Sequence, residues 1–346
     1  MESQRALLLF ESGIRSESTR KQYRTALSRF MEFCKIESYD ILANIEAKEF
    51  QIKVEDYLMA IRTRYHYSSL NAMFSAVQLF CTMNDTLINW KKIRKMFPEK
   101  EKPTGDRAYT VDEIRALLDN TKSYRFRALI HLLASSGVRA GAVHEMQLKD
   151  LTEMPQGCKA LKVYPNTKDE YMTFIGPECV DYLNKYHDER KAHGEKLDEN
   201  SYLFMTDENK KFLPEYVSIT MCRLCRKLKR KLASESRYEI MSAHGFRKRF
   251  DTVLKMRSDV NINLAERLLG HSRTIKLDNN YFRPTLEQLF TEYLKGLPGL
   301  MIDEKYNLKQ ELELKNQEIE KLRDNDKRLL IIESELKQFK ALSKQL

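Results

Sequence analysis

Arg139, Lys168, His244, Arg247 and Tyr281 are the side chains of this 346-residue chain whose types and settings suit one chemistry. Arg139 closes the run Ala134-Ser135-Ser136-Gly137-Val138-Arg139, and Lys168 lies in Asn166-Thr167-Lys168-Asp169-Glu170. His244-Gly245-Phe246-Arg247 spaces a histidine three residues before an arginine; Leu268-Leu269-Gly270-His271 and then Tyr281 follow. The chemistry is attack of a tyrosine hydroxyl on a DNA phosphodiester. Its transition state gathers negative charge on the non-bridging oxygens, which fixed cations must meet. Arginine suits that task, because its planar fork donates paired hydrogen bonds and keeps its proton.

Arg139 and Arg247 would supply two such forks. His244 and Arg247 share a face if they stand on a helix, so both can point into one cleft, where the imidazole moves a proton or holds an oxygen. A phenol of pKa ~10 is a poor nucleophile near neutrality, so cations must surround it. Lys168 would protonate the departing 5′-oxygen, an ammonium brought close to arginines having a lowered pKa. Lys162 is its rival, and the turn setting favours Lys168. Taken singly, Arg139 reads as a surface arginine and Lys168 as a solvated turn lysine. With 17 tyrosines in the chain, identity alone selects none of them. Tyr293 competes with Tyr281, but its run Leu286, Leu289, Phe290, Tyr293 and Leu294 predicts packing on a helix face.

The elements that must position these groups are mostly helical. Ser16-Glu17-Ser18-Thr19 offers N-caps to a run in which Tyr23, Ala26, Leu27, Phe30 and Phe33 recur at helical spacing. Further patterns predict helices over about 54–65, 68–83 and 87–96, four in all, making a small bundle over residues 1–97. Residues 98–106 are charged and punctuated by Pro98, Pro103 and Gly105, which reads as a linker. Thr110-Val111-Asp112-Glu113 then forms a capping box, and helices are expected through 125–136 and 142–149. Ala160-Leu161-Lys162-Val163-Tyr164 and Tyr171-Met172-Thr173-Phe174-Ile175 are β-like runs around a turn that carries Lys168. Helical patterns return from about Pro177, so 107–300 is expected to be one mixed α/β domain. In 301–346, Leu308, Leu312, Ile319, Leu322 and Leu329 follow heptad spacing, interrupted by Lys315 and Asp326. A long C-terminal helix able to form a coiled coil is expected there; a solvated helix or one folded back on the body is the alternative.

Composition narrows the partner. Lys and Arg number 60 against 50 Asp and Glu, a formal charge of +10, which favours a polyanion. The cations cluster: Arg223, Arg226, Lys227, Lys229, Arg230 and Lys231 crowd one stretch, and Arg247, Lys248 and Arg249 another. Both are expected to face phosphates. Cys222 and Cys225 form a single C-x-x-C with no second pair to complete a zinc site, so no metal site is expected. No run approaches the ~20 apolar residues of a membrane span. Met1 to Phe10 lacks the apolar core of a signal peptide, so an intracellular protein with reduced thiols is expected.

At these motifs the chain resembles the tyrosine recombinase (phage integrase) family, whose order is Arg, Lys, His-x-x-Arg, His or Trp, Tyr. The resemblance implies a mainly α fold with a small β-hairpin or sheet: an N-terminal helical core-binding domain before a mixed α/β catalytic domain. It implies a site-specific recombinase that cuts and rejoins DNA through a 3′-phosphotyrosine, with no cofactor, neither ATP nor metal. Catalysis would fall to Arg139, Lys168, His244, Arg247, His271 and Tyr281. Leu269-Gly270-His271 matches the family's second histidine, and Tyr281 follows ten residues later, at nucleophile spacing. Arg223, Arg226, Lys227, Lys229, Arg230 and Lys248 would bind DNA. The partners implied are double-stranded DNA and a homotetramer on two DNA sites, with no membrane, in the cytoplasm beside the nucleoid or inside a host cell. Two positions depart from the family: Ala142 stands where many members carry an acid, with Glu145 a possible substitute, and Lys248 where many have histidine. A type IB topoisomerase shares the chemistry, and a DNA-binding architectural protein would keep the basic cleft alone; a defined recombination site and a covalent DNA adduct respectively would exclude them.

Overall fold

The computed structural model describes residues 5–100, 107–226, 232–234, 237–240, 242–271 and 283–306, with a discontinuous set between 308 and 332. The chain divides between Pro103 and Thr104 into two compact units. The first is all helical: α1 (Arg5–Ser12), α2 (Glu17–Cys34), α3 (Tyr39–Ala43), α4 (Ala47–Ile61), α5 (Tyr67–Met83) and α6 (Trp90–Lys95). Ser16 caps α2 by accepting from the Thr19 amide, and the helix buries Ala26, Leu27, Phe30 and Met31. These side chains meet Phe50, Val54, Phe74 and Phe80 in a core rich in aromatic contacts, such as Phe30 edge-on to Tyr57 at 5.4 Å.

Two short helices, α1 and α3, were not foreseen, and α4 begins seven residues before the predicted 54. For α3 and α4 the physical reason is capping. Ser38 accepts from the Ile41 amide and Glu46 from the Lys48 and Glu49 amides, so short polar side chains start helices where apolar periodicity is weak.

The second unit contains α7 (Val111–Asp119), α8 (Tyr124–Ser136), α9 (Pro177–Ala192), α10 (Tyr216–Arg226), α11 (Ser242–Lys255), α12 (Ile262–Leu268) and α13 (Leu286–Leu300). A three-stranded antiparallel sheet joins them, in the order β1 (Leu151–Glu153), β2 (Lys159–Val163) and β3 (Tyr171–Ile175). Strands β4 (Leu232–Ser234) and β5 (Arg237–Tyr238) form a separate ribbon. The fold is mainly helical with a small sheet, as the sequence indicates; β1 had no sequence signal, being only three residues long. Thr110 and Glu113 form the capping box of α7. The helix expected over 142–149 is instead two 3-10 segments, Ala140–Glu145 and Leu148–Asp150, broken at Gln147, whose amide donates to the Asp150 carboxylate at 2.8 Å. That side chain competes with the helical carbonyl for the amide, which ends the helix.

Among the described residues no helix is long and apolar enough to cross a membrane.

Candidate active site

Arg139 is placed by the end of α8. Gly137 terminates that helix with φ +62°, and a Cβ there would lie 2.7 Å from the Phe250 ring on α11. Glycine is therefore required twice, for the left-handed backbone and for the close approach of α11. Two residues on, Arg139 leaves the core and stands exposed.

Arg247 reaches the same place from α11, a helix anchored by the fully buried rings of Phe246 and Phe250. Only 5% of Arg247 is exposed. One terminal nitrogen donates to the Gly137 carbonyl at 2.8 Å and the other to the Leu269 carbonyl. Both terminal nitrogens of Arg139 lie 3.4 Å from the next carbonyl along, that of Gly270. Two guanidinium groups from separate elements thus converge on one peptide segment, Leu269-Gly270, and His271 is the residue that follows. Burial and the neighbouring charge of Arg139 both pull the Arg247 pKa below its ordinary value.

His271 is oriented by a carboxylate. Its Nδ1 hydrogen-bonds Glu266 at 2.5 Å, and Glu266 also pairs with Lys255, which holds Asp251 at 2.8 Å. This chain ties α11 to α12 and leaves Nε2 as the ring atom turned away from the carboxylate. Desolvation raises the Glu266 pKa, but hydrogen bonds from Lys255 and His271 outweigh it and hold the carboxyl below the usual carboxylate range.

Lys168 is exposed in the turn between β2 and β3. That turn is shaped by Thr167 donating to the Tyr164 carbonyl at 2.9 Å and by the Asn166 amide donating to Glu170 at 2.7 Å. Lys168 has no ion-pair partner among the described residues. His244 is exposed near the start of α11. Tyr281 lies outside the described residues, as do Lys227, Lys229 and Arg230. Arg223 and Arg226 are exposed on α10, and Lys248 is half-buried on α11.

Two expectations change. Arg249 does not face phosphates: it is buried and donates to the carbonyls of Leu300 at 3.1 Å and Gly299 at 2.7 Å, because its face of α11 is turned onto the end of α13. Glu145 does not stand in for the missing acid at Ala142; it is exposed and pairs with His144 at 3.4 Å, while Ala142 is buried among apolar side chains. Cys222 and Cys225 diverge, one exposed and the other buried, with its sulfur 3.0 Å from the Tyr109 hydroxyl. Among the described residues no group of His, Cys, Asp and Glu is arranged to hold a metal.

Tyr293 is removed as a competitor. It is fully buried, its hydroxyl lies 2.8 Å from the Ser135 hydroxyl and donates to the Ser135 carbonyl at 3.1 Å, and burial pushes its pKa well above 10. A side chain that missed attention in the sequence is Tyr171. It opens β3, its ring lies against Gly270, and its pKa, raised by burial, feels both Arg247 and Arg139. Its place beyond the Lys168 turn was the one available signal, and a strand tyrosine is ordinarily a packing residue.

Residues 107–287 match the phage integrase family. No curated protein matches the chain in sequence. Among solved structures, the Tn1549 transposon integrase in complex with transposon right end DNA is 14% identical, with 84% of this chain and 98% of that chain covered and a TM-score of 0.54. The XerH site-specific recombinase bound to difH substrate is 18% identical over 79% of this chain and 78% of that one, TM-score 0.51. A lambda integrase dimer bound to a core site is 14% identical, covering 81% and 77%, TM-score 0.52. These likenesses are of fold. With the family match spanning more than half of the sequence, the paired arginines of α8 and α11 find their context: the chain belongs to the phage integrase family and is a tyrosine recombinase, an enzyme of site-specific DNA breakage and rejoining.

Proposed function

We propose that Arg139, Lys168, His244, Arg247 and His271 surround the scissile phosphate and that Tyr281 attacks it. The observation that carries this reading is the convergence of Arg139 and Arg247 on the consecutive carbonyls of Gly270 and Leu269, directly before His271. Two mutually repelling cations held at one segment are stabilised by an anion placed between them. In the reaction the Tyr281 hydroxyl gives its proton to His244, its oxygen bonds to phosphorus and the bond to the 5′-oxygen breaks. Lys168 gives that oxygen its proton, and a 3′-phosphotyrosine remains. A 5′-hydroxyl from another strand then attacks the ester, releasing the tyrosine and rejoining DNA. The bond energy is kept in the ester, so the scheme calls on neither ATP nor a metal.

Residues 1–97 are a core-binding DNA domain in this reading, residues 98–106 are the linker to the catalytic domain over 107–300, and Arg223, Arg226, Lys227, Lys229, Arg230 and Lys248 carry phosphate contacts. Recombining two duplexes needs four nucleophiles, hence a homotetramer on two sites. Leu308, Leu312, Ile319, Leu322 and Leu329 are all exposed on the tail, which supports a role for it in joining subunits.

The experiment is adduct trapping. A labelled, nicked duplex carrying a site that the protein selects from random-sequence DNA is incubated with it in chelator and run on a denaturing gel. Wild type is expected to retain label and Tyr281→Phe to retain none while binding DNA equally, since the change removes one oxygen and no charge. An adduct that survives in Tyr281→Phe overturns the assignment.

A further inference from the structure

Tyr171 carries a hydroxyl for which the folded protein has no evident use. The oxygen is buried, the Arg247 guanidinium beside it can donate to it but cannot accept its proton, and among the described residues no acceptor takes that proton. A buried donor without an acceptor gives up the hydrogen bond it makes to water in the unfolded chain, so it calls for an explanation. Its position supplies one. The first residue of β3 turns its ring onto Gly270, where a Cβ would lie only 2.3 Å from the ring, so the left-handed Gly270 (φ +61°) is what lets the tyrosine in. The ring therefore backs the segment that receives Arg139 and Arg247, and its hydroxyl sits in the field of both guanidinium groups. Tyr164 stands behind it, ring centroids 6.4 Å apart.

We propose that Tyr171 is a further catalytic residue, whose hydroxyl donates a hydrogen bond to a non-bridging oxygen of the scissile phosphate held by Arg139 and Arg247. The inference rests on the reading that those arginines hold that phosphate. The chemistry fits a donor rather than a second nucleophile. Burial raises the pKa of this phenol despite the two nearby cations, so it keeps its proton. A neutral donor adds a contact to a phosphate oxygen without adding a third positive charge to a site where Arg247 already feels Arg139. The phosphate oxygen then accepts the proton for which the described residues offer no acceptor.

The test compares Tyr171→Phe with wild type in three measurements. Thermal unfolding without DNA should show the variant about as stable as wild type, because the lost hydroxyl gave its proton to no acceptor among the described residues. Single-turnover cleavage of the nicked, selected duplex should be slower by about tenfold to a hundredfold, with DNA binding unchanged. The same duplex is then made with a methylphosphonate at the scissile position, each diastereomer separately. On the one that lacks the contacted oxygen, wild type and variant should cleave at equal rates, while the penalty persists on the other. Equal rates on the ordinary phosphodiester overturn the proposal. So does a penalty that persists on both diastereomers, or a variant destabilised enough to explain its slowness, since either marks a packing role. Wild type that forms no covalent adduct at all would instead bring down the active-site reading on which the proposal stands.

Discussion

The guanidinium of Arg247 donates to the backbone carbonyl of Gly137 at 2.8 Å, joining the helix that carries His-x-x-Arg to the turn that presents Arg139. The same guanidinium holds the Leu269 carbonyl beside His271. Arg247 is therefore the strut that ties the Arg139 turn to the segment before His271, besides being a charge proposed to meet the phosphate.

That double role separates two substitutions. Arg247→Ala is expected to lower cleavage by at least a hundredfold to a thousandfold, the usual loss for one fixed donor to a developing oxyanion, and to destabilise the protein as well by leaving buried carbonyls unpaired. Arg247→Lys keeps the charge but cannot reach two carbonyls with a planar fork, so stability should recover more than cleavage does. Single-turnover kinetics beside thermal unfolding checks both, and a loss of less than about tenfold in Arg247→Ala would take Arg247 out of the active cleft.

Glu178 should make stability depend on pH. It is buried on α9, accepts the amides of Ile302 and Asp303 at 2.9 and 3.0 Å, and its pKa is raised by burial to about 7. A carboxyl whose folded pKa exceeds its unfolded one stabilises the fold fully below the unfolded value, about 4.5, and loses that contribution as pH rises through about 7. Wild type should therefore lose stability relative to Glu178→Gln between about pH 5 and pH 8, by on the order of 3 kcal/mol at most. Denaturant unfolding across that range measures the difference. Parallel pH profiles of the two proteins would contradict it.

The tail prediction follows from where the body stops holding the chain. Besides the Glu178 clamp on Ile302 and Asp303, the Tyr306 hydroxyl donates to Asp181 at 2.6 Å, so residues through Tyr306 belong to the catalytic unit. Truncation after Tyr306 is expected to spare cleavage of a nicked duplex and to impair synapsis and strand exchange. Sedimentation with and without DNA, beside a recombination assay, tests this; a truncated protein that assembles and recombines like the full chain dismisses the joining role.

Much of this protein was legible in its sequence because local rules govern the features concerned. Side-chain capping at Ser16 and Thr110 starts helices whatever the rest of the chain does, and a turn between two β-like runs puts Lys168 at a hairpin tip. The order of Arg139, Lys168, His244-x-x-Arg247, His271 and Tyr281 likewise named a chemistry before any geometry was known. Burial and long-range pairing are different, since they depend on which elements meet. Arg247 and Arg249 are the same residue type two positions apart on one helix; only the packing of α11 sends the first toward Leu269 and the second toward Leu300. Tyr293 became a core hydroxyl through Ser135, which is 158 residues away in sequence. Tyr171 placed its hydroxyl beside Arg247, with no acceptor for its proton among the described residues, because Gly270, far along the chain, has no side chain to exclude the ring. The sequence by itself determined the residue inventory, the helix starts and the family chemistry, through spacing and capping that act within a few residues. The tertiary structure alone decided which cations face one another and which hydroxyl comes to lie beside them, because those are set by contacts between segments that no local pattern encodes.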